Sequence, residues 1–190
     1  EEGVRFFITA LGNPRFVCEK VHAMGGIVYH DVTERKWAQK AIAEGVDGLI
    51  CVNSNAGGHA GELQPRELYE SLSDLGVPLV CAGGVGDEDQ FMEMINMGYG
   101  GVQLGTRFIA TQECRAHNDY KNAIINAQQE DIVLTERISG VPVAIINTPF
   151  IEKTGTEAGW FMKKILRHPK FKHYGRMYYS VKSLFELRKA

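Results

Sequence analysis

Five short apolar segments, each followed by a helical segment, constrain the fold of this chain more than any other feature of its sequence. The predicted strands cover residues 4–9, 26–29, 46–52, 78–81 and 101–104, and the predicted helices cover residues 14–24, 34–44, 65–74, 88–97 and 115–128. Because the strands are apolar rather than alternating with polar residues, we expect both faces of the sheet to be covered. The pattern predicts an α/β protein with a parallel sheet surrounded by helices.

The residues that follow these strands distinguish an open doubly wound sheet from a (β/α) barrel. Small residues follow three consecutive strands, as Ala56–Gly58, Ala82–Gly84 and Gly105-Thr106. In a (β/α)8 TIM barrel these loops bind the ligand, and those after the last two strands often hold phosphate. A complete barrel has eight strands and about 250 residues, so we predict only its C-terminal five βα units here. We expect a missing N-terminal barrel segment, or a homo-oligomer, to supply the remaining strands.

After residue 130 the alternation of strands and helices stops. We assign residues 1–130 to the barrel and residues 131–190 to an irregular and helical basic C-terminal extension, with one short strand and with helices at 157–167 and 180–189. Residues 160–190 contain nine Lys and Arg residues and one acidic residue. A basic, aromatic segment could bind nucleic acid or an anionic membrane surface. We expect instead that it packs its aromatic side chains on the acidic body of the protein, so no nucleic acid partner is predicted.

The composition narrows the class of protein further. No apolar run approaches the roughly 18–20 residues of a membrane span. Cys18, Cys51, Cys81 and Cys114 are widely spaced without a CxxC pair, which predicts reduced thiols in a cytoplasmic protein. The histidines are scattered without the spacing of metal ligands, and we therefore predict no metal site.

The segment richest in possible chemistry is the loop at residues 53–61, directly after the third predicted strand. Gly57 and Gly58 allow the backbone to approach a planar or anionic ligand closely, and His59 is the titratable side chain of the loop. An imidazole can act as a general base near neutral pH or, when protonated, can pair with an anionic substrate. The segment predicts a catalytic histidine, and the structural alternative is a glycine-rich turn with a surface histidine.

Two further loops predict a phosphate site. Ala82, Gly83 and Gly84 precede a helix, and the N–H groups of a helix N-terminus attract anions. Gly105 and Thr106 follow the next strand, where the glycine permits close approach and the threonine adds a hydroxyl donor. Their place on consecutive strands predicts a phosphate cup, against the alternative that both are tight turns needed for helix packing.

The same motifs carry a resemblance to a known family. The segments GVDG (45–48), AGGHAG (56–61), PLVCAGG (78–84) and GGVQLGTRFIAT (100–111) resemble, in this order and spacing, those of the nitronate monooxygenases, formerly 2-nitropropane dioxygenases. The resemblance spans roughly residues 4–125, and the superfamily also contains FMN-dependent enoyl-acyl-carrier-protein reductases and NADH:quinone reductases. It implies an FMN-binding TIM barrel with the flavin phosphate at Ala82–Gly84 and Gly105-Thr106, and with Gly57-Gly58 under the isoalloxazine ring.

The resemblance also implies roles for two histidines and a reaction. His59 is implied as the active-site histidine, and His30, where some relatives carry a lysine, as a contact of the flavin ring. The reaction implied is the FMN-dependent oxidation of alkyl nitronates, a small-molecule substrate, by O2. The alternative is an NAD(P)H-dependent FMN reductase of enoyl-ACP or quinone substrates. A third, non-enzymatic hypothesis is a fragment that binds a partner through its basic tail.

Overall fold

The structure, a computed structural model, describes residues 3–187 and divides into two compact units. The first, the sheet unit, runs from the start of the described chain to Ala56 and continues over Ala60–Gly105. The second, the hairpin unit, contains Gly57–His59 and the chain from Thr106 onward. The division at residue 130 between barrel and extension stays a prediction.

Five parallel strands and four helices form the sheet unit. The strands are β1 (Phe6–Thr9), β2 (Ile27–Val32), β3 (Gly48–Val52), β4 (Leu79–Ala82) and β5 (Gly101–Gln103). The helices are α1 (Arg15–Ala23), α2 (Arg35–Ala43), α3 (Pro65–Leu72), which continues as a 3-10 turn at Ser73–Leu75, and α4 (Glu88–Met97). The strands pair in sequence order, β1-β2-β3-β4-β5. Sequential order belongs to a (β/α)8 barrel, whereas a doubly wound sheet reverses direction, and the predicted partial TIM barrel is therefore confirmed.

β2 extends further than the sequence predicts, because it ends at Val32 rather than Tyr29. Its last residues pair with β3 in the parallel register of the sheet. Pairing between strands involves the backbone, which every residue other than proline can offer as donor and acceptor. The polar side chains of His30 and Asp31 therefore do not end the strand.

The hydrophobic core lies between the sheet and its helices. Alternate strand residues share one face of a sheet, and the buried apolar residues of this face are Val28, Val32, Leu49, Cys51, Leu79 and Cys81. They belong to one cluster with buried side chains of all four helices. In α3, Leu68 and Leu72 have no exposed surface, and each such leucine contributes about 1.5–3 kcal/mol relative to an exposed one.

Cys51 and Cys81 stand opposite each other in β3 and β4 and are both fully buried free thiols. Burial raises the pKa of Cys51 to about 12 and that of Cys81 to about 11. Because the thiolate is the reactive form of cysteine, these two side chains act as small hydrophobic residues of the core. Cys18 and Cys114 are also free, and the cytoplasmic location stays a prediction.

The hairpin unit contains a two-stranded antiparallel sheet and five helices within the described residues. The strands are β6 (Ile132–Thr135) and β7 (Val143–Ile146). The helices are α5 (Thr106–Ile109), α6 (Asn118–Asn126), α7 (Pro149–Thr154), α8 (Trp160–Arg167) and α9 (Lys172–Leu187). Residues 131–159 thus form a hairpin and a helix, and the expectation of an irregular segment with one short strand is wrong. Seven residues, 136–142, connect the two strands. This loop is longer than the two-residue turns whose sequence marks a hairpin, and its length conceals the hairpin from a reading of local patterns.

The last helix begins at Lys172, eight residues before the predicted start. Gly175 lies within it, and glycine normally disfavours a helix interior by about 1 kcal/mol. Here a Cβ at Gly175 would lie 2.9 Å from the Leu166 Cδ2 and 3.1 Å from the Ile165 Cγ2. The glycine therefore permits the close packing of α9 on α8, which offsets its low helix propensity.

Most aromatic side chains of the basic extension are exposed, and the expectation that they pack on the acidic body stays a prediction. Those that are more than half exposed are Trp160, Phe161, Phe171, Tyr174, Tyr178 and Phe185. Tyr179 is buried, and it lies one helical turn after Gly175, the residue at which α9 packs on α8. Among residues 3–187, no helix has both the length and the apolar character needed to cross a membrane.

Candidate active site

Asn53 connects the end of β3 to the end of β4. Its side chain is fully buried, and its Nδ2 donates to the Gly83 carbonyl oxygen at 3.0 Å while its Oδ1 accepts from the Asn55 N–H at 2.8 Å. Its own carbonyl oxygen accepts from the N–H groups of Ala56 and Gly61. One buried residue therefore holds the chain on both sides of the glycine-rich segment that contains His59.

Gly83 and Gly84 adopt conformations that favour glycine, with φ of +115° and +76°. A Cβ at Gly83 would lie 2.5 Å from the Ala56 backbone nitrogen, and one at Gly84 would lie 2.9 Å from the Asn55 Cβ. Packing alone therefore requires both glycines. Their presence by itself does not distinguish a tight turn from a ligand site.

Unpaired N–H groups of this loop favour a ligand site over a tight turn. Among the described residues, none accepts a hydrogen bond from the N–H of Gly84 or Val85. The N-terminus of α4 is capped by its own side chains, because Asp87 accepts from the Gln90 N–H at 2.9 Å and Gln90 accepts from the Gly86 N–H at 2.6 Å. An anion at this loop would bind the Gly84 and Val85 amides. The first turn of α4 carries the carboxylates of Glu88 and Asp89 beside its cap Asp87, and these negative charges disfavour an anion at the helix N-terminus itself.

Gly105 follows β5 and differs from the glycines that follow β4. A Cβ at this position would meet no atom within 4 Å, and its φ lies outside the left-handed region. The described residues give no packing reason for a glycine here, as expected where a ligand approaches the backbone. In β5 itself, the Gln103 Oε1 is buried and has no hydrogen-bond partner among the described residues. A bound molecule with a donor group would satisfy it.

His30 lies on the face of β2 that packs against the helices. Alternation along the strand places it with Val28 and Val32 of the core, and it is buried. Its Nδ1 lies 2.8 Å from the Thr9 Oγ1, and burial lowers its pKa. The position favours a structural role, and a contact between His30 and the flavin ring stays a prediction.

Asp31 lies on the opposite face of β2. Its Oδ1 is buried without a partner among the described residues, and desolvation raises its pKa above the ordinary value of 3.8. Burial of a carboxylate is costly unless a hydrogen bond compensates for the lost water. Asp31 and Gln103 are therefore both buried polar residues to which a ligand could donate a hydrogen bond.

The raised pKa of Asp31 makes stability depend on pH. A carboxyl whose pKa is raised by folding favours the folded state below its unfolded pKa of about 3.9, and this contribution is lost as pH rises through the folded pKa. We therefore expect Asp31→Asn to be more stable than the wild type at neutral pH, with the difference vanishing below about pH 4. Urea unfolding without added flavin, at a series of pH values, measures this. Asp89→Asn, at an exposed position of α4, is the control, and a difference for Asp31→Asn that is constant with pH would contradict the expectation.

The hairpin unit holds the loop that carries His59. Gly58 forms an antiparallel bridge with Ala144 of β7, in which the Gly58 N–H donates at 3.0 Å and the Ala144 N–H donates back at 2.7 Å. The His59 imidazole is exposed, and its Nε2 lies 3.2 Å from the Ser139 Oγ. The loop is therefore a fixed extension of the hairpin, with its imidazole accessible.

Gly57 and Thr106, predicted to contact different parts of the flavin, are neighbours within the hairpin unit. A Cβ at Gly57 would lie 2.6 Å from the Thr106 Oγ1, so a larger residue here would displace the threonine hydroxyl. The predicted phosphate residues are thus divided between units: Gly83, Gly84 and Gly105 lie in the sheet unit, and Thr106 lies in the hairpin unit.

Sequence reasoning missed three residues that shape these sites. Asn53 carried a usable signal, because a polar residue directly after a buried strand must satisfy its amide locally. Asp31 was missed because the strand was expected to end before it. Ser139 had no local signal, since 80 residues separate it from His59.

The residues present fit an organic anion that carries several hydrogen-bonding groups. The sheet unit offers free amides at Gly84 and Val85, open backbone at Gly105, and unpaired acceptors at Asp31 and Gln103. FMN carries a phosphate for the amides and hydroxyl or ring N–H donors for the acceptors. Within the described part of the chain, no group of three or more His, Cys, Asp or Glu residues could hold a metal ion.

Together, these observations define part of a (β/α)8 barrel with unpaired polar groups at its strand ends. The profile of the nitronate monooxygenase family matches residues 1–171. The chain belongs to this family.

Individual relatives agree with this assignment. A protein of Mycobacterium tuberculosis named "(3aS,4S,5R,7aS)-5-hydroxy-7a-methyl-1-oxo-octahydro-1H-indene-4-carboxyl-CoA dehydrogenase" is 29% identical over 93% of this chain and 51% of its own length. A protein of Staphylococcus aureus (strain Newman) named "Probable nitronate monooxygenase" is 33% identical over 60% of this chain and 36% of its own. The structure of FabK from Thermotoga maritima, 26% identical, superposes with a TM-score of 0.70 over 90% of this chain and 53% of that one.

Both curated relatives carry the names of oxidoreductases. This chain spans about half of the first relative's length and about a third of the second's.

Proposed function

We propose that the protein is an FMN-dependent oxidoreductase that oxidises alkyl nitronates with O2, with His59 as its active-site histidine. The observation that carries the proposal is the position of His59 on the glycine-rich loop after β3, in a chain that belongs to this family. Its imidazole is exposed on a loop that two backbone hydrogen bonds join to β7. Such a loop presents a side chain for chemistry rather than for packing.

Different residues of the chain would bind FMN and transfer the proton. The Gly84 and Val85 amides and the open backbone at Gly105 would hold the phosphate of FMN, and Gly57-Gly58 would lie under its ring. Bound FMN supplies the electron-accepting chemistry. His59 orients the nitronate anion or removes a proton from the neutral nitroalkane.

A second candidate is an NAD(P)H-dependent FMN reductase that acts on an enoyl thioester or a quinone. The observation that favours it is the Mycobacterium tuberculosis relative, which aligns with 93% of this chain and whose name contains a carboxyl-CoA group. A thioester substrate would place its acyl carbons, rather than a nitro group, next to His59.

Anaerobic reduction of the flavin separates the candidates. The protein loaded with FMN is mixed with propionate 3-nitronate, NADH or NADPH, and the loss of flavin absorbance is followed. We expect the nitronate to bleach the flavin. Bleaching by NADH or NADPH alone would support the reductase, and no bleaching by any of the three would contradict both.

Gly105 provides a test of the phosphate site that does not depend on activity. We expect Gly105→Val to weaken FMN binding at least tenfold, because its side chain would occupy the space of the ligand, while the thermal midpoint of the unliganded protein changes little. Fluorescence titration with FMN and thermal unfolding measure the two quantities. Gly159→Val is the matched control, since a Cβ at Gly159 also meets no atom within 4 Å. Unchanged FMN affinity in Gly105→Val would remove Gly105 from the site.

A further inference from the structure

The side chain of Ser139 contacts the imidazole of His59. The His59 Nε2 and the Ser139 Oγ are 3.2 Å apart. The Ser139 Oγ also donates a hydrogen bond to the Val141 carbonyl oxygen, at 3.2 Å. A carbonyl oxygen can only accept, so the single hydroxyl proton of Ser139 is directed to Val141.

This arrangement determines which nitrogen of His59 carries the proton. With its proton given to Val141, the Ser139 oxygen has only lone pairs to offer to the His59 Nε2. The contact is then a hydrogen bond only if Nε2 carries a hydrogen. In the neutral imidazole the other nitrogen, Nδ1, is then unprotonated and free to act as a base.

We propose that Ser139 is a positioning residue that holds neutral His59 as the Nε2–H tautomer, so that Nδ1 is the nitrogen that meets the substrate. The inference rests on the proposed role of His59. With a neutral nitroalkane, the carbon–hydrogen bond next to the nitro group breaks and its proton passes to Nδ1. The electron pair stays on the substrate, which becomes the nitronate.

The segment around Ser139 is fixed tightly enough to perform this role. The next residue, Gly140, has φ of +71°, and a Cβ there would lie 3.1 Å from the Arg176 Cα and 2.8 Å from the Leu166 Cδ2. The Gly140 N–H donates to the Glu136 carbonyl oxygen at 2.8 Å. The helix pair α8–α9 thus packs directly against the turn that presents Ser139.

The tautomer can be observed by nitrogen-15 NMR of the histidine side chains at about pH 8.5, above the ordinary histidine pKa near 6.5. The signals of His59 are identified by their absence in His59→Ala. We expect the wild type to show His59 as the Nε2–H tautomer, Ser139→Ala to show a mixture, and Ser139→Thr to restore the wild-type pattern. Ser183→Ala, which removes an exposed hydroxyl of α9, should leave the pattern unchanged.

The wild-type spectrum alone can overturn the proposal, even if Ser139→Ala does not fold. A wild type with Nδ1–H, or with a mixture of tautomers, contradicts it, and so does a Ser139→Ala spectrum identical to that of the wild type.

Kinetics separate a failure of this inference from a failure of the proposed function. One hydrogen bond of ordinary strength predicts a fall in kcat of about threefold to tenfold for Ser139→Ala with little change in KM, and recovery in Ser139→Thr. If His59→Ala turns over normally, the proposed function fails whatever the tautomer. If His59→Ala is inactive but Ser139→Ala keeps the wild-type tautomer and kcat, only the role of Ser139 fails.

Discussion

His59→Ala is expected to lower turnover of nitronate or nitroalkane by about two orders of magnitude or more, while fold and flavin content stay nearly unchanged. The physical reason is that the loop owes its conformation to its backbone. The bridge between Gly58 and Ala144 and the packing of Gly57 on Thr106 involve no atom of the imidazole. Removing this exposed side chain should therefore lower turnover without changing the conformation of the loop.

The measurement is steady-state turnover together with the flavin absorbance of the purified variant and its thermal midpoint. His173→Ala is the matched control, because His173 is an exposed histidine of the same unit, in α9. It should retain wild-type turnover. Wild-type turnover in His59→Ala, with normal flavin content, would remove His59 from the mechanism and leave a surface histidine on a tight turn.

Asn53→Ala is expected to have the largest effect on the fold, a loss of about 2–4 kcal/mol in the free energy of unfolding. The substitution leaves a cavity at a fully buried position. It also deprives the Gly83 carbonyl oxygen and the Asn55 N–H of their partner. Because Gly83 begins the loop that offers the free amides, FMN affinity should fall in parallel.

Urea unfolding of the unliganded protein measures the first effect, and fluorescence titration with FMN measures the second. Asn96→Ala is the control, since Asn96 is exposed near the end of α4, and surface substitutions of this kind usually change stability by no more than about 0.5 kcal/mol. A stability of Asn53→Ala within that range would show that the loop does not depend on the buried amide.

The aromatic surface of α8 and α9 shows what composition does not determine. Aromatic residues bury large apolar areas, and their abundance in the extension indicated a segment folded onto the body. In the described structure, α9 packs on α8 at Gly175, and Tyr179 is buried. Trp160 and Tyr174 are more than half exposed. Residue type determines how much surface could be buried, whereas the helix register determines which part of it is.

The sequence by itself determined the parallel α/β architecture, the sequential order of the strands and the positions of the glycine-rich loops that follow them. These features depend on local signals: apolar strands of about five residues, helices of about ten, and small residues at strand ends. The glycine-rich loop after β3 and the paired loops after β4 and β5 could therefore be located from the sequence.

Only the tertiary structure decided what each residue of those loops contacts. It placed His30 on the helix side of β2 and Asp31 on the other, because a strand that continues for three more residues fixes both faces by alternation. It joined His59 to Ser139 across 80 residues, a pairing that depends on how β7 lies beside Gly58. Contacts of that kind arise from the path of the whole chain rather than from any local pattern, since hydrogen bonds between distant segments leave no periodicity in the sequence.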